Sequence, residues 1–248
     1  MRIYATAQLL GDRSCQCDAT AVHTAPSGAR AYVLLDGIGS TDEVRDWTRT
    51  AARRLARTAA RRGDAEASLR AVYNAYANEP DRHGPWAHMP DACAVVAVTA
   101  PGRPLTIAWC GDARAYLLVR GTVRRLTADH NLRRVYPPCD WHDGGNRNII
   151  TSCLGSAETD DDVKARYGHP AIETVTRDLE NCRLLLASDG AYEPHEDAGH
   201  SLAGFLIGDP AETARCFVDT AVATARATAA PHADNATVLI ADLRPTPA

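Results

Sequence analysis

The stretch Ala31-Tyr-Val-Leu-Leu-Asp36-Gly37-Ile38-Gly39 decides how the rest of the chain is read. A strand of Val and Leu type residues stops at an aspartate, and a glycine-flexible turn follows. The same design recurs at Ile107-Ala-Trp-Cys-Gly-Asp112 and at Leu184-Leu-Leu-Ala-Ser-Asp189-Gly190. It is reversed at Asp234-Asn235, which leads into the apolar run Ala236-Thr-Val-Leu-Ile. Carboxylates on rigid strand ends, far apart in sequence, are expected to meet in one cluster. Such a cluster repels itself unless hard cations sit inside it, so a centre holding several metal ions is expected.

Composition narrows the alternatives. With 248 residues, 45% hydrophobic and 23% charged, the chain can bury a sizeable core as an ordinary soluble protein. A net charge of -4 argues against nucleic-acid binding by bulk electrostatics. No stretch approaches the roughly 18 apolar residues of a membrane helix. Met1 to Gly11 lacks the apolar core of an export signal, so a cytoplasmic protein with no membrane partner is expected. The eight cysteines form no C-x-x-C and no Cys/His set with zinc-finger spacing, and reduced thiols are expected. Cys93, Cys110, Cys153 and Cys216 sit in apolar runs, as small hydrophobes do.

Residues 1–35 read as two or three strands around the polar turn Gly11 to Asp18, with a hairpin turning at Pro26-Ser-Gly28. Ser40-Thr-Asp-Glu43 reads as a capping box before a helix that stops at Gly63. A second helix is expected from about Asp64 to Asn78, because Leu69, Val72, Tyr73 and Tyr76 recur at helical steps. His83 to Pro90 reads as a loop. Four short strands between Ala94 and Leu126 read as an antiparallel meander. Residues 127–150 are polar and irregular, a length of loop that is often functional. Strands are then expected at Ala171 to Val175 and Arg183 to Ala187. A helix from Asp209-Pro210 to near Ala230 and a strand from Ala236 to Leu243 follow. Strands and helices come in blocks, which predicts an α+β fold of one domain, residues 1–248: two antiparallel sheets with helices packed outside.

Seven motifs, in order, resemble the metal-dependent protein serine/threonine phosphatases of type 2C. Arg13 with Asp18 is similar to that family's opening R-x-x-N-[EQ]-D. Leu35-Asp36-Gly37-Ile38-Gly39 resembles D-G-H-G-G, and Cys110-Gly-Asp112-Ala-Arg114-Ala-Tyr-Leu resembles V-G-D-S-R-A-x-L. Leu126-Thr-Ala-Asp129-His130 and Ile150-Thr-Ser-Cys-Leu154-Gly155 are similar to L-T-x-D-H and I-T-R-x-L-G. Leu185-Leu-Ala-Ser-Asp189-Gly190 and Asp234-Asn235-Ala-Thr237-Val238 resemble L-L-A-S-D-G and D-N-x-T-V. An isolated Asp-Gly is usually only a turn, but turns do not select the flanking letters.

The resemblance implies a four-layer α-β-β-α sandwich and a phosphatase of phosphoserine and phosphothreonine. It implies two Mn²⁺ or Mg²⁺ ions, with a labile third, and attack by a hydroxide bridging the first two. Asp36 would bridge these ions, with the Gly37 carbonyl facing the second; Asp189 and Asp234 would hold the first. Asp18 and Asp112 would serve further positions, Asp112 the labile third. Arg13 would bind the substrate phosphate, and residues 131–148 would form a flap. The implied partner is a phosphoprotein made by a serine/threonine kinase, with the enzyme monomeric. Ile38 stands where eukaryotic members have a histidine proposed as general acid, and Cys17 replaces an acidic or amide residue beside Asp18. Those departures give the alternative reading, a catalytically weak or inactive signalling module of the same fold that binds a phosphoprotein. Arg53, Arg54, Arg57, Arg61 and Arg62 read as a solvated helix face, and Cys15 and Cys17 as two thiols near a turn that need no function.

Overall fold

The computed structural model describes residues 3–82 and 89–245, so most of the expected loop from His83 to Pro90 lies outside the described residues. The first strands are β1 (Tyr4–Leu9), β2 (Ala19–Thr24) and β3 (Arg30–Gly37). Helices α1 (Asp42–Arg62) and α2 (Ala65–Ala77) follow, then β4 (Ala92–Thr99), β5 (Leu105–Cys110), β6 (Arg114–Val119) and β7 (Thr122–Arg125). The second half holds α3 (Leu132–Val135), α4 (Asp160–Tyr167), β8 (Glu173–Arg177), β9 (Cys182–Ala187), α5 (Asp189–Asp197), α6 (Leu202–Phe205), α7 (Pro210–Arg226) and β10 (Ala236–Leu243).

The strands form two antiparallel five-stranded sheets, ordered β1-β10-β9-β6-β7 and β2-β3-β4-β5-β8. Strand alternation explains the layers. On β3, Ala31, Val33 and Leu35 face α1 and α2 in one apolar cluster. Tyr32 and Leu34 point the other way, where they meet Leu184, Leu186 and Leu239 of the facing sheet. Leu185, Val238 and Ile240 then cover the outside of that second sheet against Phe217 and Val218 of α7. The result is the expected α+β sandwich, helices outside two sheets.

Three local expectations are corrected. The N-cap of α1 is Thr41 rather than Ser40, its hydroxyl accepting from the Val44 N–H at 3.2 Å. The meander does not lie in one sheet: β4 and β5 belong to one sheet and β6 and β7 to the other, with the crossing at Gly111-Asp112. Strand β8 begins two residues later than Ala171, at Glu173. The Arg stripe of α1 is solvent-exposed as expected, and Gly63 closes that helix in the left-handed conformation at φ 64°. All eight cysteines are free, but Cys216 is exposed on α7 rather than packed in the core.

Candidate active site

The strand-end aspartates converge at one end of the sandwich. Asp36 closes β3, paired across the ladder with Cys93 of β4. Asp112 lies in the crossing turn after β5, where Gly111 adopts φ 96° with no room for a Cβ against Cys93. Asp189 is the first residue of α5, and its carboxylate accepts from the Gly190 N–H at 2.5 Å. Asp234 precedes β10 and accepts from the Asn235 N–H at 2.7 Å. These four carboxylates, Arg13 and the turn Gly37 to Gly39 line one cavity of about 150 Å³. Asn148, the last residue of the expected flap, and Ile150 also line it.

Asp18 does not line the cavity but sits behind it, 2% exposed. The carbonyl of the preceding Cys17 occupies the place where a side chain at Gly37 would be, 2.5 Å from an ideal Cβ. Glycine there lets the Asp18 segment press against the Asp36 strand. Burial, together with Asp189 and Asp234 and against the nearby Thr237 and Ser188 hydroxyls, pushes the Asp18 carboxyl up to about 7. Neither Asp18 carboxylate oxygen has a hydrogen-bond partner.

The other acids show the same strain. Burial, then Asp189, Asp18, Asp112 and Asp234, holds Asp36 well above the usual carboxylate range. Burial and Asp189 push Asp112 up to about 8, against the pull of the Cys93 thiol and Arg114. Asp189 is raised by burial and by Asp234. The set is therefore short of positive charge. As they stand, no three His, Cys, Asp or Glu side chains among the described residues form a group that could hold a metal ion. The oxygen-only donor set and the orphaned Asp18 carboxylate nevertheless fit hard divalent cations such as Mn²⁺ or Mg²⁺.

Arg13 lines the cavity beside these acids. It forks onto Asp234, with Nε donating to Oδ1 at 2.7 Å and Nη2 to Oδ2 at 2.5 Å, while Nη1 donates to the Ser40 hydroxyl at 3.2 Å. Asp189 and Asp36 add to the field that holds the guanidinium there. Ile38 lies at the rim, 44% exposed.

Several site residues escaped the sequence reading. A second groove of about 350 Å³ shares Asn148, Asp189 and Asp234 with the cavity and is also lined by Arg147. Arg147 bonds both oxygens of Asp197, at 2.9 and 2.7 Å, and reaches Glu193 at 3.1 Å, tying the end of the flap segment to α5. Arg114 is buried and forks onto Asp129 at 2.9 and 2.8 Å, reaches Glu196 at 2.6 Å, and lies 3.6 Å from the Tyr192 ring centre. The Tyr192 hydroxyl in turn donates to the Asp112 carbonyl at 3.1 Å. His130 is fully buried: its Nδ1 accepts from the Gly111 N–H at 3.4 Å, so its Nε2 carries the proton toward Glu173 at 2.9 Å. Burial outweighs the Glu173 hydrogen bond and holds His130 down to about 4. Only the motif letters pointed to Arg114 and His130, and nothing in the spacing pointed to Arg147.

Comparison with known proteins gives consistent findings. The sequence model of the family "Protein phosphatase 2C" matches residues 20–135. No curated protein sequence matches the chain. Among solved structures, the Mycobacterium tuberculosis serine/threonine phosphatase PstP/Ppp is 23% identical with a TM-score of 0.68, covering 97% of this chain and 98% of that one. A Staphylococcus aureus serine/threonine phosphatase is 17% identical with a TM-score of 0.69, covering 98% and 95%. Pseudomonas aeruginosa PppA, described as a key regulatory component of T6SS, is 21% identical with a TM-score of 0.67 over 98% of both chains. At such identities the likeness is one of fold.

Proposed function

We propose that this chain is a divergent member of the protein phosphatase 2C family, a protein serine/threonine phosphatase that hydrolyses phosphoserine and phosphothreonine with Mn²⁺ or Mg²⁺ held among its strand-end carboxylates. The observation that carries the metal reading is Asp18, whose two buried oxygens have no partner behind a cavity lined by four further carboxylates. Burying an unpaired carboxylate is costly, and a hard dication offsets that cost with the ligands it prefers.

Asp36, with the Gly37 carbonyl, would be shared between two ions. Asp189 and Asp234 would hold one of them, and Asp18 and Asp112 would serve the remaining positions, Asp112 that of a third. When bound, the cations supply Lewis acidity and acidify the water that attacks phosphorus. The chain's own groups do the rest. Arg13 lines the cavity, and its planar fork suits two phosphoryl oxygens as well as it suits Asp234. Ile38 offers no proton to the leaving alkoxide, which forgoes a contribution of about 10²–10⁴ in rate. We read residues 1–248 as one catalytic domain acting as a monomer on phosphoproteins made by a serine/threonine kinase in the cytoplasm. Among the described residues no helix is long and apolar enough to cross a membrane.

The test is phosphate release from phosphoserine and phosphothreonine peptides in the presence of Mn²⁺. Turnover that EDTA abolishes supports the reading. Absence of turnover under conditions where calorimetry shows Mn²⁺ bound would overturn it in favour of a binding module.

A further inference from the structure

Cys15 and Cys17 form a small buried cluster of their own with Val44, apart from the three main cores. Both thiols are seated on the N-terminus of α1. The Cys15 thiol donates to the Asp42 carboxylate at 3.6 Å and accepts from the Arg45 guanidinium at 3.7 Å. The Cys17 thiol donates to the Thr41 carbonyl at 3.6 Å. A second cysteine in the same cluster can then resolve an oxidised first one.

What Cys17 touches makes the pair consequential. Its N–H donates to the Asn235 side chain at 2.8 Å, next to Asp234. Its carbonyl packs on Gly37, next to Asp36. Its chain neighbour is Asp18. One residue is thus wired to three of the acid-bearing segments.

We propose that Cys15 and Cys17 are an oxidation site for hydroperoxides, whose disulfide distorts the acidic cluster and weakens its hold on divalent cations. The Cys15 sulfur attacks hydrogen peroxide, breaking the O–O bond and giving a sulfenic acid, with the thiol proton leaving in the water released. The Cys17 thiol then displaces the sulfenic oxygen as water, and the disulfide forms; peroxide is reduced and two thiols are oxidised. A bridge across one intervening residue pulls the Cys17 sulfur off Thr41 and twists the backbone that carries Asp18. This consequence rests on the metal-dependent reading of the site; formation of the bridge does not.

The experiment treats the intact reduced chain with hydrogen peroxide, maps its cysteines by alkylation and peptide mass, and measures Mn²⁺ affinity by calorimetry together with p-nitrophenyl phosphate hydrolysis. Expected are a Cys15–Cys17 cross-linked peptide, an affinity at least about tenfold weaker, and recovery with dithiothreitol. Cys15→Ser, with Cys17→Ser as a second variant, keeps the affinity of the reduced protein after the same treatment. Alkylatable Cys15 and Cys17 after peroxide, a disulfide that leaves Mn²⁺ affinity unchanged, or variants as sensitive as the parent would each overturn the proposal. If the reduced chain binds no Mn²⁺, the metal reading of the site fails and with it the proposed consequence. The peptide map still decides whether the disulfide forms.

Discussion

Arg13 meets Asp234 through two parallel hydrogen bonds, and that geometry sets what each residue can do. On the proposed reading Asp234 would help to hold a cation, and the Arg13 fork would then be free for the phosphoryl group. Arg13→Ala is expected to raise KM for a phosphopeptide by about 10–100-fold, the worth of a charge-assisted fork, with a smaller loss in kcat. Steady-state kinetics at saturating Mn²⁺ checks this; a kcat loss with unchanged KM would assign Arg13 elsewhere. Ile38→His tests the missing general acid. It is expected to raise kcat on phosphoserine peptides by about tenfold or more while leaving p-nitrophenyl phosphate, whose leaving group needs no proton, nearly unchanged. His130 gives a third test at this scale. The unfolded chain binds its proton near pH 6.5, whereas burial delays that in the folded chain to about 4. The contribution of neutral His130 is complete above pH 6.5 and is lost as pH falls toward 4. Urea unfolding of the parent is therefore expected to weaken more steeply between pH 6.5 and 4 than that of His130→Gln.

At the scale of elements, the site depends on a few buried connections. Arg114 joins β6 to α5 and to the segment before His130, through Asp129, Glu196 and the Tyr192 ring. Arg125 shares Asp129 as well. Removing one partner from a buried charge pair costs about 3–5 kcal/mol, so Arg114→Ala should lower unfolding free energy by that amount. Urea denaturation measures it, and a loss below about 1 kcal/mol would mean that water already screens the pair. The apolar run of β3 and its terminal aspartate were legible because both faces of that strand are buried, leaving no polar alternation to confuse the reading. Sheet membership was not legible. Alternation identifies a strand but not its partners, so the crossing at Gly111-Asp112 looked like one more hairpin turn. Helix α5 was hidden because Gly190 and Pro194 are poor helix residues in isolation. Its packing on α7, through Tyr192 and Ala191, overrides that preference. Arg147 and its partners on α5 lie about 50 residues apart in sequence, and side-chain pairing over that range leaves no periodic trace.

For the whole molecule, the concentration of carboxylates at one end of the sandwich is a liability until it is neutralised. Asp18, Asp36, Asp112 and Asp189 all hold protons more tightly than free carboxylates do. A raised folded-state pKa means that, without metal, their contribution to stability is best at low pH and worsens as pH rises through the values near 7 and 8 of Asp18 and Asp112. Mn²⁺ should therefore stabilise the chain, by about 2.7 kcal/mol at a hundredfold excess over Kd and by more at pH 8 than at pH 6. For a chain of 248 residues that corresponds to a rise in Tm of about 5–10 °C. A Tm indifferent to Mn²⁺ at both pH values would remove the basis for a metal centre. The central claim is tested most directly by p-nitrophenyl phosphate hydrolysis in EDTA and then in excess Mn²⁺, with the parent and Asp36→Asn side by side. The parent should lose its activity in EDTA and regain it with Mn²⁺, while Asp36→Asn stays lower by about 10³-fold. Equal rates for the two proteins in Mn²⁺ would contradict it.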